Sequence, residues 1–239
     1  MLQFDNDISG VLLIDKPVGL TSHDVVHEIR RVTGVKRVGH AGTLDPLATG
    51  LLIVLIGRAT KISQFLIDLD KNYEGTMQLG IETDSHDAEG NIVAQRHIQD
   101  ITLERLREAA VTFKGDIEQV PPMFSAKKLN GKPLYKLARQ GKVVERQSNL
   151  VTIFKFEIGN LCADRVDFCI RCSKGTYVRT IAHDLGQMLG CGAHLTALRR
   201  TKIGEFLVTD AHSLSKICAM SPDEIGEHLI ISYLANKSP

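Results

Sequence analysis

Gly39-His40-Ala41-Gly42-Thr43-Leu44-Asp45-Pro46-Leu47-Ala48-Thr49-Gly50 is the stretch around which the chain is organised. Three glycines and one proline in so short a run demand a tightly folded loop. Glycine tolerates positive φ, and Pro46 fixes its own φ and biases Asp45 away from helix. Asp45 is the only carboxylate in the stretch, and an apolar, β-branched run over 51–56 follows at once and reads as a buried strand. One acid is thus held on a rigid loop at the mouth of a hydrophobic core. That suits a catalytic group, and it also suits an ordinary Asp-Pro turn.

Working outward, residues 8–14 form an apolar run closed by Asp15-Lys16-Pro17, a strand entering a turn. Thr21-Ser22 caps a helix to about residue 32, with Val25, Val26, Ile29 and Val32 on one face. Beyond the apolar run, a helix is expected over 59–68, a strand over 73–80, a polar, acidic loop or hairpin tip over 83–90, and a short return strand over 92–94. Thr102 caps a helix over 103–113. The segment 115–141 is too irregular and too basic for core, and long ordered loops in compact domains are usually functional. Two alternating strands follow at 150–158 and 166–172, then a helix over 178–189 and a final basic turn or helix over 194–201. A strand and one or two short helices complete the chain after Gly204. Periodicity therefore supports interleaved strands and helices.

The 239 residues suffice for one or two domains, and 43% hydrophobic with 24% charged residues is the balance of an ordinary globular chain. No apolar run approaches the ~20 residues that span a bilayer. Residues 1–9 lack the basic-then-apolar pattern of a secretory signal, so a cytoplasmic location is expected. Of five cysteines, Cys169 and Cys172 spell C-x-x-C, but the alternating strand around them points their side chains to opposite faces, and neither metal nor disulfide use is expected. The formal net charge is only +1, yet basic residues concentrate in 114–146 and 174–202 and acidic ones after Gly204. Such segregation suits a polyanion bound on one face.

Five motifs, in order, are similar to those of the TruB family of tRNA pseudouridine synthases, which act on uridine 55 of the T arm. They are Gly10-Val11-Leu12-Leu13-Ile14-Asp15-Lys16-Pro17, the Asp45 stretch, Lys71-Asn72-Tyr73-Glu74, Ser173-Lys174-Gly175-Thr176-Tyr177-Val178-Arg179, and the block from Leu185-Gly186 through Gly192-Ala193-His194-Leu195 to Leu198-Arg199-Arg200. The resemblance implies an α+β pseudouridine synthase fold: a mixed, mostly antiparallel sheet flanked by helices, with a basic RNA-gripping insertion at about 115–141. It implies a catalytic domain over 1–203 and a short C-terminal extension over 204–239 in place of the larger RNA-binding (PUA) domain of many bacterial members.

By the same resemblance Asp45 is the nucleophile and Arg179 the cation that keeps it ionised. Tyr73 lies beside ribose and base, either stacking on uracil or acting as general base. Tyr177 packs on the flipped base, Leu198 walls the uracil pocket, and His40 fills the space the base vacates. Lys16 shapes the core beneath. Lys127, Lys128, Lys132, Arg199 and Arg200 are expected at the RNA backbone, with Phe124 or Met123 supporting a base. The implied partner is tRNA, gripped at its T arm by a monomer without an obligate protein partner. Isomerisation needs no cofactor, since it has no net redox change and no external acceptor. Two rivals stand beside this reading: a tRNA-folding factor that works without catalysis, and a guide-RNA-dependent synthase of the H/ACA type.

Overall fold

The strand Thr49–Ile56 is buried along almost its whole length, and its sequence explains why. It runs between two others, antiparallel to Gly10–Lys16 (Leu12 opposite Val54) and parallel to the end of Ala193–Ile203 (Arg200 opposite Gly50). A strand covered on both faces has no polar side to show, so it reads as an unbroken apolar run. Alternation then sorts its side chains. Leu52, Val54 and Ile56 join Leu12 and Ile14 in one core cluster, while Leu51, Ile53 and Leu55 join Val11 and Leu13 in the other. Each such side chain is worth about 1.5–3 kcal/mol on burial.

The computed structural model describes residues 8–125, 127–129 and 131–231, the side chain of Lys128 excepted. The chain divides into two units, 1–72 with 199–239, and 73–198. In the first unit the first cluster is roofed by the helix Ser22–Thr33 through Val25, Val26 and Ile29. Thr21 caps that helix reciprocally with Asp24, and Gly34 ends it in the left-handed conformation. The short helices Leu214–Cys218 and Pro222–Glu227 close the same cluster with Leu214, Ile217 and Ile225. Residues after Gly204 thus complete the core of this unit.

In the second unit the long antiparallel pair Asn149–Cys162 and Arg165–Cys172 carries Gly115–Gln119 on its outer edge. Val166, Phe168, Ile170 and Cys172 face in, and Arg165, Asp167, Cys169 and Arg171 face out. Cys169 and Cys172 therefore do lie on opposite faces. Phe113, Phe156 and Phe168 meet edge to face, with centroids 6.1 and 5.7 Å apart. The helices Leu103–Val111 and Val178–Leu189 pack together over this region.

The α+β class and most elements agree with the sequence. Three local expectations fail. Residues 59–68 form not one helix but a 3-10 segment, Gly57–Ile62, followed by the short helix Ser63–Ile67. Gly57 turns at φ +62°, and Thr60 bonds back to its carbonyl, which tightens the first turn. Residues 194–201 lie in the strand Ala193–Ile203, because pairing with Thr49–Ile56 outweighs local preference. The strand Val38–Ala41, expected as loop, pairs with the same apolar strand, Gly39 opposite Leu55.

Candidate functional site

The residues singled out from the sequence fall in both units. In the first, Asp45 opens a turn closed by the Ala48 amide donating to its carbonyl at 3.0 Å, with Pro46 at the position where proline is favoured. Asp45 is half-buried. The loop is tied down at successive points. Ser22 Oγ accepts from the Leu44 amide (2.8 Å) and donates to the Leu44 carbonyl (3.1 Å). The Pro46 carbonyl accepts from the Gly19 amide (2.8 Å) and from Lys16 Nζ (3.4 Å). Lys16 is wholly buried, and its ammonium also meets the Pro17 and Leu20 carbonyls. Every one of these contacts organises backbone, which agrees with a core-shaping role for that motif.

Arg200 overturns one expectation. Its place in the basic segment 174–202 suggests the RNA backbone, yet it is 1% exposed, and its guanidinium donates to the carbonyls of Leu51, Thr43 and Gly42. A group enclosed in this way has no face left for a phosphate. Arg199 stays partly exposed but forks onto Asp15 at 3.0 and 2.7 Å, so much of its charge is already balanced.

His40 sits half-buried on Val38–Ala41 with Nδ1 buried and unpartnered. Burial first, then the charge of Arg200, then His23, hold its pKa below the ordinary histidine value. A neutral ring suits insertion among bases better than acid–base work. Beside it opens a cleft of about 470 Å³ lined by Arg30, Lys36, Arg37, His40, Thr60 and Ser63 among others, with no carboxylate.

In the second unit, Tyr177 precedes the helix Val178–Leu189 and Arg179 lies in its first turn. Gln119 fixes that entry: its amide oxygen accepts from the Tyr177 N–H (2.8 Å), and its nitrogen donates to the Tyr177 carbonyl (3.1 Å). Arg179 is 5% exposed and pairs with Asp87, 2% exposed, at 2.8 Å; its other terminal nitrogen donates to the Phe124 carbonyl at 2.5 Å. Ser85 Oγ (2.6 Å) and the Glu89 amide (3.1 Å) donate to the same Asp87 carboxylate. Next to it His86 stacks face to face on His183, centroids 3.9 Å apart and planes 1° from parallel. Burial, the neighbouring His183 ring and Arg179 push the His86 pKa down to about 3.

Tyr73 is buried on Lys71–Leu79, and Leu198 is half-buried on the neighbouring strand. Lys132 is exposed in a small hairpin, Lys128–Leu129 with Lys132–Pro133. Lys127 bends back to Asn149 Oδ1 at 2.7 Å, and the side chain of Lys128 lies outside the described set. Met123 is buried, so of the two base-supporting candidates only Phe124 retains an accessible side chain.

The family profile described as TruB family pseudouridylate synthase (N terminal domain) matches residues 30–178. The tRNA pseudouridylate synthase B C-terminal domain profile matches residues 179–231. The chain belongs to the TruB family. Its members are isomerases. The tRNA pseudouridine synthase B of Opitutus terrae is 52% identical over all of this chain and 99% of its own length. That of Aromatoleum aromaticum is 52% identical over 89% of this chain and 69% of its own. Among solved structures, a Cbf5-Nop10-Gar1 complex aligns with TM-score 0.68 at 29% identity, covering 87% of this chain and 53% of that one. The structure of an H/ACA RNP bound to a substrate RNA containing 2'-deoxyuridine aligns with TM-score 0.66 at 27%, again over 53% of that chain. Among the described residues no helix of this TruB chain is long and apolar enough to cross a membrane.

Sequence reasoning missed Asp87, Gln119 and the histidine stack. Asp87 falls in a segment expected as a polar tip, whereas Thr83, Ser85 and Asp87 are all buried there. The one signal available was Ser85-His86-Asp87, in which a hydroxyl two residues before an acid can bond it.

Proposed function

We propose that this chain isomerises uridine 55 in the T loop of tRNA to pseudouridine, with Asp45 as nucleophile. The observation that carries the reading is full-length identity of 52% with a tRNA pseudouridine synthase B. The tightly tied Asp45 loop and the carboxylate-free basic cleft beside His40 support it.

The target base must leave the stack before its glycosidic bond can be reached, at ~a few kcal/mol that RNA contacts offset. Neutral His40 takes up the vacated space, and Tyr177 and Leu198 receive the uracil. Asp45 attacks or stabilises C1′ as the N1–C1′ bond breaks; the base turns, C5 joins C1′, and the C5 proton passes to solvent while N1 regains one. Uracil leaves as a resonance-stabilised anion, so a second carboxylate of the glycosidase kind is dispensable. Arg179 supplies the positive charge that favours ionised Asp45, and Tyr73 lies beside ribose and base. Lys132 and the cleft arginines neutralise phosphates.

The test is pseudouridine mapping at single-nucleotide resolution in an unmodified tRNA transcript. Wild type should yield one pseudouridine in the T loop without additives, and Asp45→Asn should lower the rate at least ~10³-fold while still binding tRNA. A wild type that binds without forming product refutes the stand-alone enzyme. The likeness to H/ACA proteins makes a guide RNA the next addition in that case.

A further inference from the structure

We propose that Arg200 is a positioning residue for this reaction: its buried guanidinium ties the entering and leaving limbs of the Asp45 loop to one another and so fixes the carboxylate. The inference rests on the reading of Asp45 above.

Its polar partners among the described residues are three main-chain carbonyls. Nη2 donates to Gly42 (3.0 Å) and Nη1 to Thr43 (3.3 Å), just before Asp45, and Nε donates to Leu51 (2.8 Å), at the start of the apolar run after it. One planar group therefore spans both limbs. The main chain of Arg200 is engaged as well. It stands opposite Gly50 in parallel register, and Gly50, at φ +99°, could carry no Cβ without striking the Arg200 backbone. Gly42, at φ +91°, lets the loop pass within 3.6 Å of Nη1, measured from where its Cβ would stand.

A fully buried charge is costly unless its donors are satisfied. Arginine keeps its charge under all conditions and presents its donors in a rigid fork, whereas lysine is a point charge on a flexible stem. An ammonium at this position reaches one limb but not both. If the role were only to fill volume, a methionine would serve. If it were only to bring charge, lysine would serve. The geometry here requires the fork. Misplacing a reacting group by about 1 Å can cost ~10²-fold in rate, so a loop freed at one limb should lose turnover before it loses substrate.

The experiment compares wild type, Arg200→Lys and Arg200→Gln as full chains. Four quantities are measured: melting temperature, tRNA dissociation constant, single-turnover rate at saturating tRNA, and deuterium exchange of the Ala48 amide, which closes the Asp45 turn. Both variants are expected to bind tRNA within about 3-fold of wild type and to turn over ~10–100-fold more slowly, with faster Ala48 exchange. Weakened binding with an unchanged saturated rate would return Arg200 to the phosphate backbone and overturn the proposal. Wild-type turnover and protection in Arg200→Lys would overturn it too, as would failure of Arg200→Lys to fold, since the role would then belong to the whole unit. If wild type itself makes no pseudouridine, the enzyme reading fails, and Ala48 exchange alone still decides whether Arg200 holds the loop.

Discussion

Arg179 and Arg200 come from the same basic segment and are both nearly inaccessible, but they are buried by opposite means. Arg179 meets a carboxylate, Asp87, that is itself buried. Among the described residues the hydrogen-bond partners of the Arg200 side chain are carbonyls, from either side of one loop. The first arrangement includes a charged side chain from elsewhere in the sequence; the second, among the described residues, is made with the backbone. Arg179 can therefore be disturbed by a single substitution at a distant position, and Arg200 cannot. A basic run in a sequence does not distinguish these cases from each other, nor either of them from a phosphate-facing surface.

The sharpest way to break the comparison is Asp87→Ala. Removing one partner of a buried ion pair is strongly destabilising, by about 3–5 kcal/mol. Urea unfolding should show a lower midpoint with an unchanged slope. A loss below about 1 kcal/mol would mean that the Phe124 carbonyl and the rest of Arg179's surroundings suffice, and that the two arginines are buried alike.

A smaller effect concerns acid. His86 is neutral in the folded protein because its pKa lies at about 3 rather than 6.5. As pH falls through 6.5 the unfolded chain takes up that proton first, so stability declines from there toward pH 3, by up to about 1.4 kcal/mol per pH unit. His183 is shifted downward as well, by burial, and adds to the slope. His86→Asn suits the site's positive φ of 67° and should flatten the acid limb of stability measured by thermal melts between pH 7 and 4. An unchanged slope in that variant would locate the acid sensitivity elsewhere.

What was legible in the sequence follows the same division. The strand Thr49–Ile56 and the helix Val178–Leu189 were readable because burial decides their composition and leaves its period in the residues. The tight turn at Asp45 was readable because Gly and Pro in one short run are locally informative. Asp87 was not, since its meaning depends on an arginine far along the chain. The strand Val38–Ala41 was hidden by the glycine and histidine inside it, which no propensity favours and only the pairing with Leu55 and Val54 explains. Arg200 was misread because its three acceptors are carbonyls, and every residue has one.

The mildest perturbation sets an exposed charge against the two buried ones. Lys132 projects from the small hairpin Lys128–Leu129 with Lys132–Pro133 and is accessible. An exposed lysine loses little on truncation, so Lys132→Ala should leave stability within about 0.5 kcal/mol. If it neutralises a phosphate, its removal should reduce the dependence of log K on log salt for tRNA binding by ~0.7–1. Equilibrium titrations at several salt concentrations read that slope directly. The same measurement on Arg200→Gln should show no change in slope, because a guanidinium that spends its donors on Gly42, Thr43 and Leu51 releases no counterion when RNA binds. Equal slopes for Lys132→Ala and wild type would remove the hairpin from the RNA interface. A reduced slope for Arg200→Gln would show that burial in the free protein does not keep that arginine from the backbone of the RNA.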